Sequence, residues 1–257
     1  MIVAEPFPAG SDSDRRWQGP ARALLTGAIQ RHGGWAAWST FVGVGLRPVR
    51  LSGLLPRWKG LGQTFVLPGR IEVRPREGVA TLRDYPETGK WGVFERGQLT
   101  LYDRVGRTEL QVANPRRSFR WLRKYRRWSP ADALYFFGYA LAHYHALPFT
   151  LVDARPRRLV TAHVRGRPVD GVEVVLPLHL HTHSRVQTFY FDDGLLVRHD
   201  YVADIVGAWA RGAHFWDDYV TIGGLRIARR RHVVARLGRW TTPIVALHAE
   251  FTDVMSL

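Results

Sequence analysis

The sequence predicts a mostly β protein with some α: one curved antiparallel sheet of roughly ten to twelve strands around two or three helices. Two observations carry this. Short apolar or alternating runs bounded by Gly and Pro recur about every ten residues, the rhythm of a sheet built from hairpins. One later segment, WSPADALYFFGYALAHYH (128–145), is helix-compatible and apolar on more than one side, which marks a buried helix, and in a β chain its place is inside the curve of the sheet.

Residues 1–19, rich in Pro, Gly, Ser and Asp, read as a loosely ordered arm, and 20–257 as a single domain. PARALLTGAIQR (20–31) spaces Leu24, Leu25, Ala28 and Ile29 along one helical face, with Pro20 in the first turn and Gly33-Gly34 as its end. TFVGVGL, QTFVLP, RIEVR, GVATLRDY, KWGVFE and QLTLYD follow as strands. In the buried helix Ser129 is the N-cap, Pro130 the first helical residue and Asp132 lies in the first turn. Leu134, Phe137, Leu141 and Tyr144 form one stripe, Phe136, Tyr139 and Ala140 widen it, and Pro148 ends it. Strands resume with RRLVTAHV, GVEVVLPLHLHTH, RVQTFYFDDGLLVRHDYV, HFWDDYVTIGGLRIARRRHVVARL and PIVALHAEFTDV. Asp193-Gly194 is a strong hairpin signal and Gly223-Gly224 a weaker one.

The 257 residues carry a formal charge of +15, no cysteine, and no apolar run long enough for a membrane helix, so no integral membrane protein is expected. The N-terminus has no basic start followed by an apolar stretch and a small-residue cleavage site, which makes a cytoplasmic location the default expectation. Of the 37 basic residues only Lys59, Lys90 and Lys124 are lysine, so codon bias accounts for part of the charge. The rest concentrates in PRRSFRWLRKYRRW (115–128), where a helix would align Trp121, Tyr125 and Trp128. That segment reads either as a solvated arginine face anchored by core aromatics or, over 116–127, as a docking face for an anionic partner such as an acidic carrier protein or a membrane surface. Nucleic acid is not expected, because no binding motif accompanies the charge.

Several stretches together resemble a poorly characterised bacterial family whose members resemble the half-barrel fold of the carriers that ferry lipoproteins across the periplasm. They are HGGWAAW, FFGYALAHYHALPF, THSRVQTFYFDDGLLVRHDY, AHFWDDY and GGLRIARRRHV, spread over about residues 21–235. The resemblance implies a half β-barrel: a strongly curved antiparallel sheet wrapped partly around helices, with an apolar cavity on its concave side for a hydrophobic ligand. The chain departs from it at His143, where such relatives place Asn, and at Ala228-Arg229, where they place Pro-Thr. The carriers have export signals that this N-terminus lacks, so a shuttling role is not carried over.

LPLHLHTHSRVQ (176–187) sets His179, His181 and His183 at every second position. On a strand they would share one face, the outer two about 13 Å apart, too far for one zinc with bonds of about 2 Å, so no metal is expected. Pairing across Asp193-Gly194 puts Thr188 opposite His199 and Gln187 opposite Asp200, with Thr188, Tyr190, His199 and Tyr201 on one face and Gln187, Phe189, Arg198 and Asp200 on the other. His183, His199 and His214 lie on successive strand segments, and His143 is a polar group on the buried helix that needs a partner or a purpose. An imidazole near neutrality suits proton transfer, Asp200 or Asp217 could orient one, and Tyr144, Tyr190 and Tyr201 could hydrogen-bond a developing enolate. His183, His199, Asp200, His214 and His143 are thus the candidate catalytic residues, and Tyr144, Phe137, Gln187, Tyr190, Tyr201 and Arg198 the candidate binding residues.

No G-x-G-x-x-G, P-loop, G-x-S-x-G or H-E-x-x-H occurs, and no cofactor is expected. The expected function is to enclose a hydrophobic small molecule and act on it as a cofactor-independent cyclase or isomerase of specialised metabolism. The alternative is a non-catalytic carrier or sensor of acyl or isoprenoid ligands.

Overall fold

A computed structural model describes residues 16–61 and 67–257. Thirteen strands form one antiparallel sheet in the order β6-β5-β4-β3-β2-β1-β13-β12-β11-β10-β9-β8-β7, and β6 and β7 do not pair, so the barrel stays open. The strands are β1 (Val44–Ser52), β2 (Arg70–Arg74), β3 (Val79–Arg83), β4 (Trp91–Glu95), β5 (Gln98–Tyr102), β6 (Thr108–Val112), β7 (Arg155–Val164), β8 (Arg167–Val175), β9 (Val186–Asp192), β10 (Leu195–Val202), β11 (Arg211–Ile222), β12 (Leu225–Leu237) and β13 (Trp240–Ser256). Among the described residues four α-helices accompany them: α1 (Gly19–Arg31), α2 (Gly34–Thr40), α3 (Leu54–Trp58) and α4 (Pro130–Ala146).

The order of the strands explains the role of α4. The two edge strands are neighbours in sequence, and the chain between them carries α4 through the interior, against β2, β3, β4 and β5. Fourteen of its seventeen residues are buried, as a helix apolar all round requires. Ser129 caps it: its Oγ accepts from the Asp132 amide at 3.2 Å, the Asp132 carboxylate accepts from the Ser129 amide at 2.9 Å, and Arg123 donates to Asp132 at 3.1 Å. Replacing Ser129 with Ala is expected to lower stability by about 1 kcal/mol, measured by urea unfolding, without altering ligand binding.

Two expectations need correction. The sheet has thirteen strands, just beyond the roughly ten to twelve expected, and TELQV, not among the expected strands, is the edge strand β6. Four of its five side chains are exposed, so it lacks the apolar alternation that betrays an inner strand. The other edge, β7, opens Arg-Pro-Arg-Arg, and charge and proline on an edge strand discourage pairing with another chain. The basic segment is not one helix: it forms two short 3-10 turns, Pro115–Ser118 and Trp121–Tyr125. Trp128 is buried, but Trp121 is 87% exposed, so the three aromatics do not align. Two of its cations are drawn off internally instead, Arg123 to Asp132 and Arg116 to the loop after β8. Of the expected arm, residues 1–15 lie outside the described residues; beyond them Trp17 is fully buried and donates to the Ala154 carbonyl at 3.1 Å. The strand expected at QTFVLP also lies mostly outside them.

Candidate functional site

Between α4 and the strands β10 to β13 lies an apolar cleft of about 720 Å³ that opens to solvent. Leu54, Leu55 and Trp58 of α3 roof it, Trp209 and Val206 form one side, and Val233, Ala235 and Ile244 the other. The Trp58 and Trp209 rings meet at 5.6 Å at its mouth. Large apolar side chains stay exposed around that mouth, among them Trp209 at 61% and Leu237 at 72%. Such clustering is more than the ordinary scatter of single exposed apolar residues. A second void, of about 60 Å³, lies deeper, lined by Tyr144, His214 and Arg231, and shares Phe136, Val233 and Leu247 with the cleft.

Tyr201 forms the inner end of the cleft and is the last link of a buried hydrogen-bond chain. Tyr139 and Tyr144, both on α4, meet His183 Nδ1 at 2.8 Å and Nε2 at 2.6 Å, and Tyr144 donates to the Tyr201 hydroxyl at 3.3 Å. With Tyr144 as donor to Tyr201, its oxygen accepts from His183 Nε2–H, and Tyr139 donates to the bare Nδ1. The Tyr201 ring stacks on His183 at 4.1 Å. Beside this chain His199 Nε2 donates to the Gln187 side-chain carbonyl at 2.5 Å, and the Gln187 amide donates to Thr182 Oγ1 and the Ser184 carbonyl, each at 2.6 Å.

Burial holds these groups uncharged. Desolvation lowers His143 to about 4 and puts His183, His199 and His214 well below the ordinary imidazole value, with Arg116 adding to the effect at His183 and Arg231 at His214. Burial equally raises the Tyr139, Tyr144 and Tyr201 hydroxyls. Nδ1 of His199, Nδ1 of His214 and Nε2 of His143 are buried with no hydrogen-bond partner.

The structure gathers His183, His199, His214, His143, Tyr144, Tyr201 and Gln187 inside, with Phe137 lining the deeper void. It separates Asp200, Arg198 and Tyr190 from them. The turn pairs Asp192 with Leu195 as expected, with Asp193 and Gly194 both at positive φ, but a bulge at Val197 then shifts the register, so that Arg198 faces Tyr190 and His199 faces Phe189. An extra residue moves every later side chain to the other face. His199 and Tyr201 therefore turn inward with Gln187 and Phe189. Asp200 points outward, where Arg198 grips it with both nitrogens at 2.8 and 2.9 Å, Arg236 adds a bond at 2.7 Å, and the Arg198 guanidinium lies 5.1 Å from the Tyr190 ring. Asp217 also faces outward, paired with Arg165.

The alternating histidines are not on a strand. Residues 176–185 form the loop between β8 and β9, closed by the Leu176 amide donating to the Arg185 carbonyl at 2.8 Å. Pro177 has no amide to give a ladder, and arginines satisfy the loop carbonyls instead: Arg116 those of Thr182 and His183 at 2.7 and 2.9 Å, Arg185 those of Leu180 and Leu178 at 2.9 and 3.1 Å. His183 alone turns into the core. His179 and His181 line a separate, more polar cleft of about 710 Å³ beyond the other end of α4, which His143 also reaches. Among the described residues no group of three or more His, Cys, Asp or Glu is placed to hold a metal ion.

Sequence reasoning missed Arg231. It sits on β12 in the run Arg229-Arg230-Arg231, where charges on both faces of the strand hide which one is buried. Only its position opposite Ala249 and Trp216, one residue out of phase with the exposed Arg230, distinguishes it.

No protein-family model matches this chain, and no curated protein matches it. Among solved structures, a DUF1329 family protein from Desulfovibrio piger is similar at 12% identity and TM-score 0.51, covering 93% of this chain and 94% of that one. A LolA superfamily protein from Nitrosomonas europaea is similar at 11% identity and TM-score 0.49, over 92% of this chain and 93% of that one. A domain from Vibrio parahaemolyticus, described as an outer membrane lipoprotein-sorting protein, gives 11% and 0.47, over 95% and 92%. The cytoplasmic location expected from the sequence is withdrawn: it rested on the N-terminus alone, and the fold shared with the Desulfovibrio piger protein does not assign a cytoplasmic place. No helix among the described residues is long and apolar enough to cross a membrane. The half-barrel fold that the sequence resembles is the fold of this chain.

Proposed function

We propose that this protein is a carrier or sensor that encloses a hydrophobic molecule with an acyl- or isoprenoid-like chain. The apolar cleft of about 720 Å³ carries the reading: it has the size and lining of a small-molecule site, and the exposed Trp58 and Trp209 stand at its mouth. The expected cyclase or isomerase chemistry is not part of the proposal. The inward imidazoles are neutral and have no carboxylate to orient them, since Asp200 and Asp217 both face outward in ion pairs.

The test is fluorescence titration with N-phenyl-1-naphthylamine, an uncharged apolar probe, on the wild type and on Ala235→Trp. Ala235 lies on the cleft wall, half-buried, so an indole there fills the space without entering the core. The wild type is expected to bind at micromolar concentration and the variant at least about tenfold more weakly, a loss of some 1.4 kcal/mol, with an unchanged melting temperature. Equal binding by both proteins, or none by the wild type, overturns the reading.

A further inference from the structure

Arg231 is 4% exposed, and among the described residues no carboxylate pairs with it. Its guanidinium lies 4.5 Å from the Trp216 ring centre, 5.7 Å from Tyr144 and 5.8 Å from Phe251, an aromatic box. One polar contact holds it: NH2 donates to His145 Nε2 at 3.1 Å, and His145 in turn donates through Nδ1 to the Leu141 carbonyl at 2.8 Å. That arrangement fixes His145 as a neutral acceptor, because a carbonyl can only accept and a guanidinium can only donate. Among the described residues Nε and NH1 of Arg231 have no partner. Burial brings the group down to about 10 from its usual value, so it is charged at neutral pH all the same. A buried cation with idle donors is costly, and buried polar groups as a rule are satisfied.

Arg231 lines the deeper void of about 60 Å³, which has room for a carboxylate. Phe136, Val233 and Leu247 wall both this void and the large cleft, so the two are adjacent, and a chain whose terminus passes these side chains reaches Arg231. The geometry points to a ligand class: we propose that the protein selects long-chain carboxylates, with NH1 and the second N–H of NH2 of Arg231 binding the two carboxylate oxygens end-on and the hydrocarbon filling the cleft. This rests on the carrier reading and adds the head group to it. Guanidinium and carboxylate match as a planar fork, two parallel N–H···O bonds, and both charges would be neutralised away from water.

The experiment compares palmitate with hexadecanol, the same chain without the charge, by calorimetric titration below their aggregation limits. It uses the wild type, Arg231→Met and Arg231→Lys. The wild type is expected to prefer palmitate by at least about tenfold, the return on two charge-assisted bonds. Arg231→Met should lose that preference while still binding hexadecanol within severalfold of the wild type, and Arg231→Lys should keep only part of it, since an ammonium cannot form the fork. A wild type that binds hexadecanol as tightly as palmitate overturns the inference and leaves the carrier reading standing; binding of neither overturns both. A preference retained in Arg231→Met also overturns it. Should that variant not fold, the wild-type comparison decides alone.

Discussion

Acid is expected to unfold this protein well before its carboxylates titrate. His32 and His143 are each lowered to about 4, and His145, His183, His199 and His214 lie well below the ordinary imidazole value, all through burial. In the unfolded chain each returns to about 6.5. Between the two values the unfolded state binds more protons, so stability is complete above about pH 7 and falls as the pH drops through 6.5 toward 4. Each group contributes a slope approaching 1.4 kcal/mol per pH unit, and six together approach about 8 kcal/mol per unit. A domain of ordinary stability, about 5–15 kcal/mol, would be spent between pH 6 and 5. Urea unfolding at pH 7.5, 6.5 and 5.5 should show midpoints falling steeply over the last step. His214→Phe, which removes an imidazole whose Nδ1 lacks a partner, should flatten the dependence by about one part in six. An unchanged midpoint between pH 7.5 and 5.5 would show that the imidazoles reach water in the folded state.

The same burial explains which parts of the molecule are legible in the sequence. Inner strands such as RIEVR and QLTLY advertise themselves because one face is buried and one is not. α4 is legible because its cap, its first-turn proline and its apolar girth agree on one answer. The edge strand β6 is hidden because hydrogen bonding to β5, not burial, makes it a strand. The histidine loop misleads for the opposite reason: its period-two pattern has the texture of a strand, while its exposed Leu178 and arginine-tied carbonyls belong to a loop.

The site was legible as a set of residues and not as an arrangement. His183, His199, His214, Tyr144 and Tyr201 do converge, since neighbouring strands bring successive segments together. The face each residue occupies depended on a single extra residue at Val197. Its side chain packs with Tyr190 and Phe215 in a small apolar cluster on the convex side, and nothing in FYFDDGLLVRHDY marks it as the bulge. Arg231 was hidden more deeply, because a buried cation is visible only once its surroundings are known.

Gly138→Val is expected to abolish folding, and Gly138→Ala to cost about 2–3 kcal/mol, despite alanine being the better helix former by about 1 kcal/mol. The reason is the contact between α4 and β4. A Cβ on Gly138 would collide with the Phe94 side chain, coming within 2.7 Å of its Cγ, and the atoms it meets first are those nearest the strand backbone, which cannot swing aside. The sheet returns the favour one strand-turn away: Gly92 leaves room for Leu134, whose Cδ2 would lie 2.7 Å from an added Cβ. Two glycines, one on each element, let the helix sink against the sheet, and its depth sets where Tyr139 and Tyr144 meet His183 at 2.8 and 2.6 Å. Gly27→Ala is the control: it is exposed on α1, with nothing within 4 Å of the new methyl, and should stabilise by about 0.5–1 kcal/mol. Opposite signs for the same chemical change, read as melting temperatures, separate packing from propensity. If Gly138→Ala also stabilises, α4 does not lie against β4 at this distance, and the buried chain from Tyr139 to Tyr201 loses its geometric footing.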